Sequence, residues 1–459
     1  MVSRFLLLTV LLLSVNACSY FPNLGKNEEI YGNKEDRVSI LKTESNIKVD
    51  SEAARTPPKL PKIRFNNKWS KSHGYDSLTP ENIEAPIEFN FRAIESIGKG
   101  TPKSVKYNIS PVIAENKIFT IDNEGVVTAF DANDIRNELW KYEIEIDKKS
   151  GNFSSAGMLY DEGYLYISTG FNKVVALNAE SGKLLWNRNI NGVARSAPDA
   201  HNGVLLVSTA ENKLYALDIT DGAILWTHNG TTEEISVLGT ASPVAYKNLV
   251  FASYSSGELY ALNIENGNIL WFDSLSTVSD LKSGSFVDID ATPVVIGDKT
   301  FAINRQGVLA AYETFSGHRL WDIEVGGGKN LWYADNIIYL INDENMLIAI
   351  NTELGGIAWM KQLPEYEKPE RKVGRYYWAG PVLAQDRLLI VGYHGELLSL
   401  SPINGDILDV TKVLSGISHP PVVAYNSLYM ITEKGKLTVY KYIDKAGRKS
   451  LTEKYVQPQ

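Results

Sequence analysis

The sequence predicts an all-β protein, an eight-bladed β-propeller of four-stranded antiparallel blades closed by pairing of its N- and C-terminal strands. Three observations lead there. One phrase recurs: LYALDITDGAILW, residues 214–226, returns almost unchanged as LYALNIENGNILW, residues 259–271. Looser copies end at Trp140, Trp186, Trp321 and Trp359, and LLSLSPINGDILD puts Asp409 where the tryptophan is expected. Successive endings lie 38–50 residues apart, close to the roughly 40–50 residues of one propeller blade. Finally, each unit has room for four short strands separated by turn residues.

The elements follow in order within a unit. Many open on a proline before a valine, as in Ser110-Pro111-Val112, Ser242-Pro243-Val244, Thr292-Pro293-Val294, Gly380-Pro381-Val382 and Pro420-Pro421-Val422. The first residue of a strand can lack a ladder donor, so proline fits there. A second strand such as 249–253 follows, then a turn at Ser256-Gly257, then a third strand, 258–262. The pairs Asp221-Gly222 and Asn266-Gly267 predict tight hairpins with positive φ at both central positions. The fourth strand ends at tryptophan, expected to pack between neighbouring blades because large aromatics carry much of a core's buried area. A single sheet of this kind has two apolar faces and buries them only by stacking on its neighbours, which explains the repetition.

Seven units carry their own closing strand, whereas the eighth, residues 419–443, supplies three strands before the polar AGRKSLTEK. The missing strand is assigned to Ile87–Ile94, which alternates in strand fashion, with the segment around Trp69 as second choice. Such closure removes the exposed edges that template aggregation.

The ends of the chain read differently. Residues 1–17 form an export signal: Arg4, an apolar run from Phe5 to Leu13, then Val15-Asn16-Ala17. The run is shorter than the roughly 20 residues a spanning helix needs. Cys18, the sole cysteine, follows at once and resembles the lipidated cysteine of a bacterial lipobox; Ser19 after it implies sorting to the outer membrane. Residues 18–62 are polar with a proline cluster at Pro57, Pro58 and Pro61, and read as a flexible tether. A coil of this length reaches roughly 35–40 Å. The propeller is assigned to 63–447 and a polar tail to 448–459.

The search for chemistry returns little. His73, His201, His228, His318, His394 and His419 show no metal-ligand spacing and are read as surface residues. The run Val325-Gly326-Gly327-Gly328-Lys329-Asn330 lacks the spacer and hydroxyl of a phosphate loop and reads as a connection between blades. No GxSxG elbow marks a nucleophile. With 46 basic against 54 acidic residues and no basic run interleaved with aromatics, nothing points to nucleic acid.

Two loops stand out by position. Residues 231–241 join the third unit to the fourth and residues 276–291 join the fourth to the fifth, so they are expected to emerge side by side on one face. The first offers Ile235, Ser236, Val237 and Leu238; the second offers Asp288 and Asp290, which a two-residue period puts on one side. An apolar cluster beside paired carboxylates suits a partner with an apolar patch and a basic rim. Composition equally allows aliphatics tucked under a loop beside solvated aspartates.

The repeat, with Ala-Leu-Asp/Asn, a glycine turn and Leu-Trp, resembles that of pyrroloquinoline-quinone-type eight-bladed propellers. Together with Cys18, the tether and the run FVDIDATPVV at 286–295, it resembles within that group the lipoprotein propellers of the outer-membrane β-barrel assembly machinery. This resemblance spans about residues 65–443. It implies a non-enzymatic scaffold with no cofactor, lipid-anchored to the outer membrane and facing the periplasm, that assists insertion of β-barrel proteins. Its implied partner is the periplasmic domains of the insertase BamA, with unfolded outer-membrane proteins as further candidates. It also favours docking at the two loops, because the matching loops of that family contact BamA; Leu238 departs from the arginine often found there. The alternative is a quinone-dependent periplasmic dehydrogenase or another ligand-binding propeller. Such dehydrogenases carry adjacent cysteines and a calcium site, whereas the one cysteine here is at the anchor position.

Overall fold

Successive fourth strands are joined to the next blade by the docking of one side chain onto one turn. In the computed structural model, which describes residues 47–72, 82–101, 109–145, 156–194, 196–231, 241–275, 289, 291–327 and 330–441, the indole N–H of Trp140 donates to Ala179 O, that of Trp186 to Ile219 O and that of Trp226 to Ile264 O. Trp271, Trp321 and Trp359 do the same to Thr314, Thr352 and Pro402. Each acceptor belongs to the following blade, just before its third turn. The ring of each tryptophan lies against the glycine of that turn: Gly182, Gly222, Gly267, Gly317, Gly355 and Gly405. The repeated phrase is thus two halves of a joint, with tryptophan serving the blade ahead and glycine the blade behind.

The first blade holds Val112–Ala114, Lys117–Ile121, Val126–Asp131 and Glu138–Glu143, paired in that order. Five more blades repeat the order, the sixth ending at Ile357–Gln362; the seventh is built on Trp378–Ala384, Arg387–Gly392, Glu396–Leu400 and Ile407–Lys412. In the eighth, Val422–Ala424, Ser427–Thr432 and Lys436–Lys441 are completed by Asn90–Ser96 from the other end of the chain. The eighth blade touches both neighbours. Glu433 N donates to Gly416 O and Gly416 N to Tyr393 O after the seventh, while Asn116 N of the first blade donates to Tyr425 Oη. First strands contact one another from the first blade to the fourth and again between the sixth and the seventh, so they are the inner strands around the central channel. Second strands are almost wholly buried, as in Val204–Thr209 and Ser427–Thr432, and third strands bury their middle residues, as in Lys213–Asp218.

Several expectations need correction. The turns at Asp221-Gly222 and Asn266-Gly267 are not hairpins with two residues at positive φ. Only Gly222 and Gly267 are left-handed, at φ 71° and 72°, and Gly222 N bonds back to Asp218 O, closing a wider turn whose glycine meets the tryptophan. The closing strand is Asn90–Ser96, not Ile87–Ile94. The carbonyls of Pro86 and Ile87 are taken by the Arg387 guanidinium, which also lies over the Phe89 ring, so the chain reaches the eighth blade three residues later. Asp409 stands where tryptophan is expected because the eighth blade has no third turn of its own to dock against; Asp409 instead adds its negative charge beside Arg387.

The tether boundary also moves. Residues from Lys48 belong to the same compact unit as the blades. Asp50 N donates to Ile357 O, Lys59 N to Asn336 Oδ1, and Ala53 is fully buried, all against the sixth blade. Backbone donors and acceptors, rather than apolar bulk, hold this polar stretch down. Trp69, the second choice for the closing strand, bridges Ile113 of the first inner strand instead. His419 is not a surface residue: it is 1% exposed. Cys18 and the assigned signal and tail lie outside the described residues. No helix among the described residues is long and apolar enough to cross a membrane.

Candidate functional site

In a blade of four antiparallel strands, the first-to-second and third-to-fourth turns share one face. The second-to-third turns and the connections to the next blade share the other. The loops 231–241 and 276–291 are two such connections. Ile235, Ser236, Val237, Leu238, Asp288 and Asp290 lie outside the described residues, so the site is built from the bases of the loops.

Those bases are held together. Ser242 N, at the end of the first loop, donates 3.2 Å to Thr292 Oγ1 at the end of the second. The expected adjacency is therefore met at the loop ends. Ile289, flanked by the two aspartates, is 1% exposed and packs with Val244, Phe251 and Trp271, and its N–H donates to Tyr254 O at 3.3 Å.

The start of the first loop is fixed by a carboxylate. Thr231 donates to Glu258 through both its backbone N, at 3.1 Å, and its Oγ1, at 2.8 Å, and Ser256 Oγ donates to the same group at 2.8 Å. Burial opposes ionisation of Glu258, but these hydrogen bonds prevail and hold its carboxyl below its ordinary value. Asn212 spans two blades, donating from Nδ2 to Thr231 O and accepting from Ser255 N and Oγ. Next to it, His228 Nδ1 lies 2.8 Å from the Tyr254 hydroxyl and the two rings stack; burial pushes the imidazole down and the Tyr254 phenol up. Tyr260 stacks in turn on Phe272, which is 61% exposed.

Sequence reasoning named the loops but not Glu258, Tyr254, Asn212 and Thr292, which bond to the described loop ends. A signal existed for Thr292 alone, since it is the hydroxyl residue before a blade-opening proline. The arrangement offers a braced pair of loop bases bordered by an exposed aromatic. Among the described residues there is no cluster of three or more His, Cys, Asp or Glu that could hold a metal ion.

A family model described as outer membrane protein assembly factor BamB matches residues 123–361, just over half of the chain. The chain is 26% identical over 338 residues to the outer membrane protein assembly factor BamB of Moranella endobia strain PCIT, covering 72% of this chain and 84% of that protein. It is 29% identical over 353 residues to the protein of that name from Escherichia coli strain K12, covering 75% and 86%. Among solved structures, BamB from Moraxella catarrhalis superposes with a TM-score of 0.65 at 18% identity, covering 77% of this chain and all of that one. A europium-containing methanol dehydrogenase gives 0.64 at 12% identity, covering 82% and 98%. At these identities the two structures establish the β-propeller fold and nothing more.

Proposed function

This chain belongs to the family of the outer membrane protein assembly factor BamB, and on that premise we propose that it is a non-enzymatic lipoprotein scaffold of the β-barrel assembly machinery. It is anchored through Cys18 to the outer membrane, faces the periplasm, and grips the periplasmic domains of BamA with the loops 231–241 and 276–291. Assembly and insertion of β-barrel proteins are assisted by holding the insertase in place.

The observation that supports this reading best is the bracing of the two loop bases. Ser242 bonded to Thr292, with Thr231 bonded to Glu258, ties the roots of both loops to the blades. Preorganised roots lower the ordering cost of docking, which is why interfaces favour them. A conserved fold alone does not choose between a scaffold and an enzyme. Family membership supports the scaffold, and the methanol dehydrogenase likeness carries only the architecture.

The test is a pull-down of the tagged lipoprotein from detergent-solubilised envelopes. Co-purification of BamA with the wild type, and its loss from a variant carrying Val237→Asp, supports the reading. Recovery of the propeller without BamA counts against it. Incubation with pyrroloquinoline quinone and calcium, followed by desalting and absorbance, checks the competing enzyme reading, and stoichiometric retention of quinone would favour it.

A further inference from the structure

Asn66–Ser72 enters the central channel from the face of the first turns and runs antiparallel to the inner strands. Asn66 is held at the eighth blade, where Tyr425 N donates to its carbonyl and its Nδ2 donates to Val423 O. Trp69 and Ile113 of the first blade exchange both backbone bonds, at 2.7 and 2.9 Å. On the other side, Tyr160 N of the second blade donates 2.8 Å to Ser70 O, and Ser72 N donates 3.0 Å to Met158 O. Ser72 then closes the run, accepting Ser110 N at its carbonyl and Met158 N at its hydroxyl. One extended segment thus bonds the edges of two inner strands that do not pair with each other.

Its side chains have built receptors. Trp69 is 4% exposed and packs in the main core. Lys71 reaches across to the third blade, where its ammonium sits 2.6 Å from Asp199 Oδ1, both side chains nearly buried. The other oxygen, Asp199 Oδ2, accepts Ala245 N of the fourth blade at 2.8 Å. Oδ1 also accepts Ala200 N at 2.9 Å. A nearly buried carboxylate with two backbone donors but a single cation beside it still makes a specific demand on whatever lies in the channel, because a buried charge without its counter-ion is strongly unfavourable.

We propose that the edges of the inner strands Val112–Ala114 and Ala156–Asp161, with Asp199, form a strand-binding site for an extended peptide carrying an aromatic residue and, two positions later, a lysine, and that the chain's own Asn66–Ser72 is its resident occupant. Main-chain bonds to the two edges supply affinity, and the Trp69 and Lys71 positions supply specificity, the division of labour of strand addition generally. With its own segment seated, the site is closed to other strands. This inference is independent of the BamA reading and uses none of the loop residues.

The test supplies the segment in trans. A fluorescent peptide of residues 64–74, RFNNKWSKSHG, is titrated by anisotropy against the full-length wild type and a full-length Trp69→Ala, Lys71→Ala variant. The variant binds saturably and gains thermal stability with peptide, the wild type does not bind, and a peptide with Lys71→Met binds the variant on the order of 100-fold more weakly. If the variant does not fold alone, refolding it with the peptide recovers native strand content. Equal binding by wild type and variant, a folded variant that ignores the peptide, indifference to Lys71→Met, or failure of the peptide to recover an unfolded variant would each overturn the proposal.

Discussion

Gly222 lies so close to Trp186 that a Cβ built on it would fall 2.7 Å from Cε3 of the ring, and its φ of 71° is in the left-handed region. Gly222→Ala therefore adds a methyl group where both the backbone and the neighbouring blade exclude it. The expected loss is about 2–4 kcal/mol, from left-handed strain and overpacking together. Thermal melting by circular dichroism checks this, with Gly203→Ala as control. Gly203 is also at positive φ, 79°, but nothing lies within 4 Å of its built Cβ. A drop no larger than the control's would mean the tryptophan contact is not restrictive.

Acid should weaken the eighth blade first. His419 Nδ1–H donates 2.7 Å to Pro420 O while Nε2 accepts Ile431 N at 2.9 Å, so the buried ring is held neutral. Burial lowers its pKa to about 4. Its folded value lies below its unfolded one, so the unfolded chain takes up the proton first. The stabilisation is complete above about pH 6.5, is lost progressively as pH falls to about 4, and amounts to about 3 kcal/mol at most. Melting temperature against pH should slope less steeply over this window in His419→Gln than in the wild type. Parallel slopes would remove His419 from the account.

The blades were legible because the tryptophan–glycine joint writes side-chain identity into six successive junctions. His419 could have been found the same way. It takes the position, two before the blade-opening proline, that Ile109, Ala241 and Ala291 fill elsewhere, all of them buried. Asn66–Ser72 was not legible, because NNKWSKS is polar and its attachment is mostly through backbone groups, which leave no apolar period. The closing strand was found by alternation but displaced, since Arg387 captures Pro86 and Ile87 through their carbonyls. At the loops, adjacency followed from repeat order, while the choice of docking over tucked aliphatics came from the family resemblance alone.

The proposed scaffold is attached to the membrane through Cys18 alone. Cys18→Ala should release the protein into the soluble periplasmic fraction, since acyl anchoring contributes on the order of 0.8 kcal/mol per buried CH₂. Fractionation in cells lacking the other assembly components makes the comparison clean. A variant still pelleting with membranes there would show a different attachment.

The central claim is that the loops 231–241 and 276–291 grip the periplasmic domains of BamA. The most direct test is isothermal titration of purified BamA periplasmic domains into the soluble propeller as wild type, Val237→Asp and Asp288→Arg. Each substitution should weaken binding by on the order of tenfold or more, through a charge placed in an apolar contact or a reversed charge at the rim, with melting temperature unchanged. Affinities equal to wild type in both variants would contradict the account and move the partner to another surface.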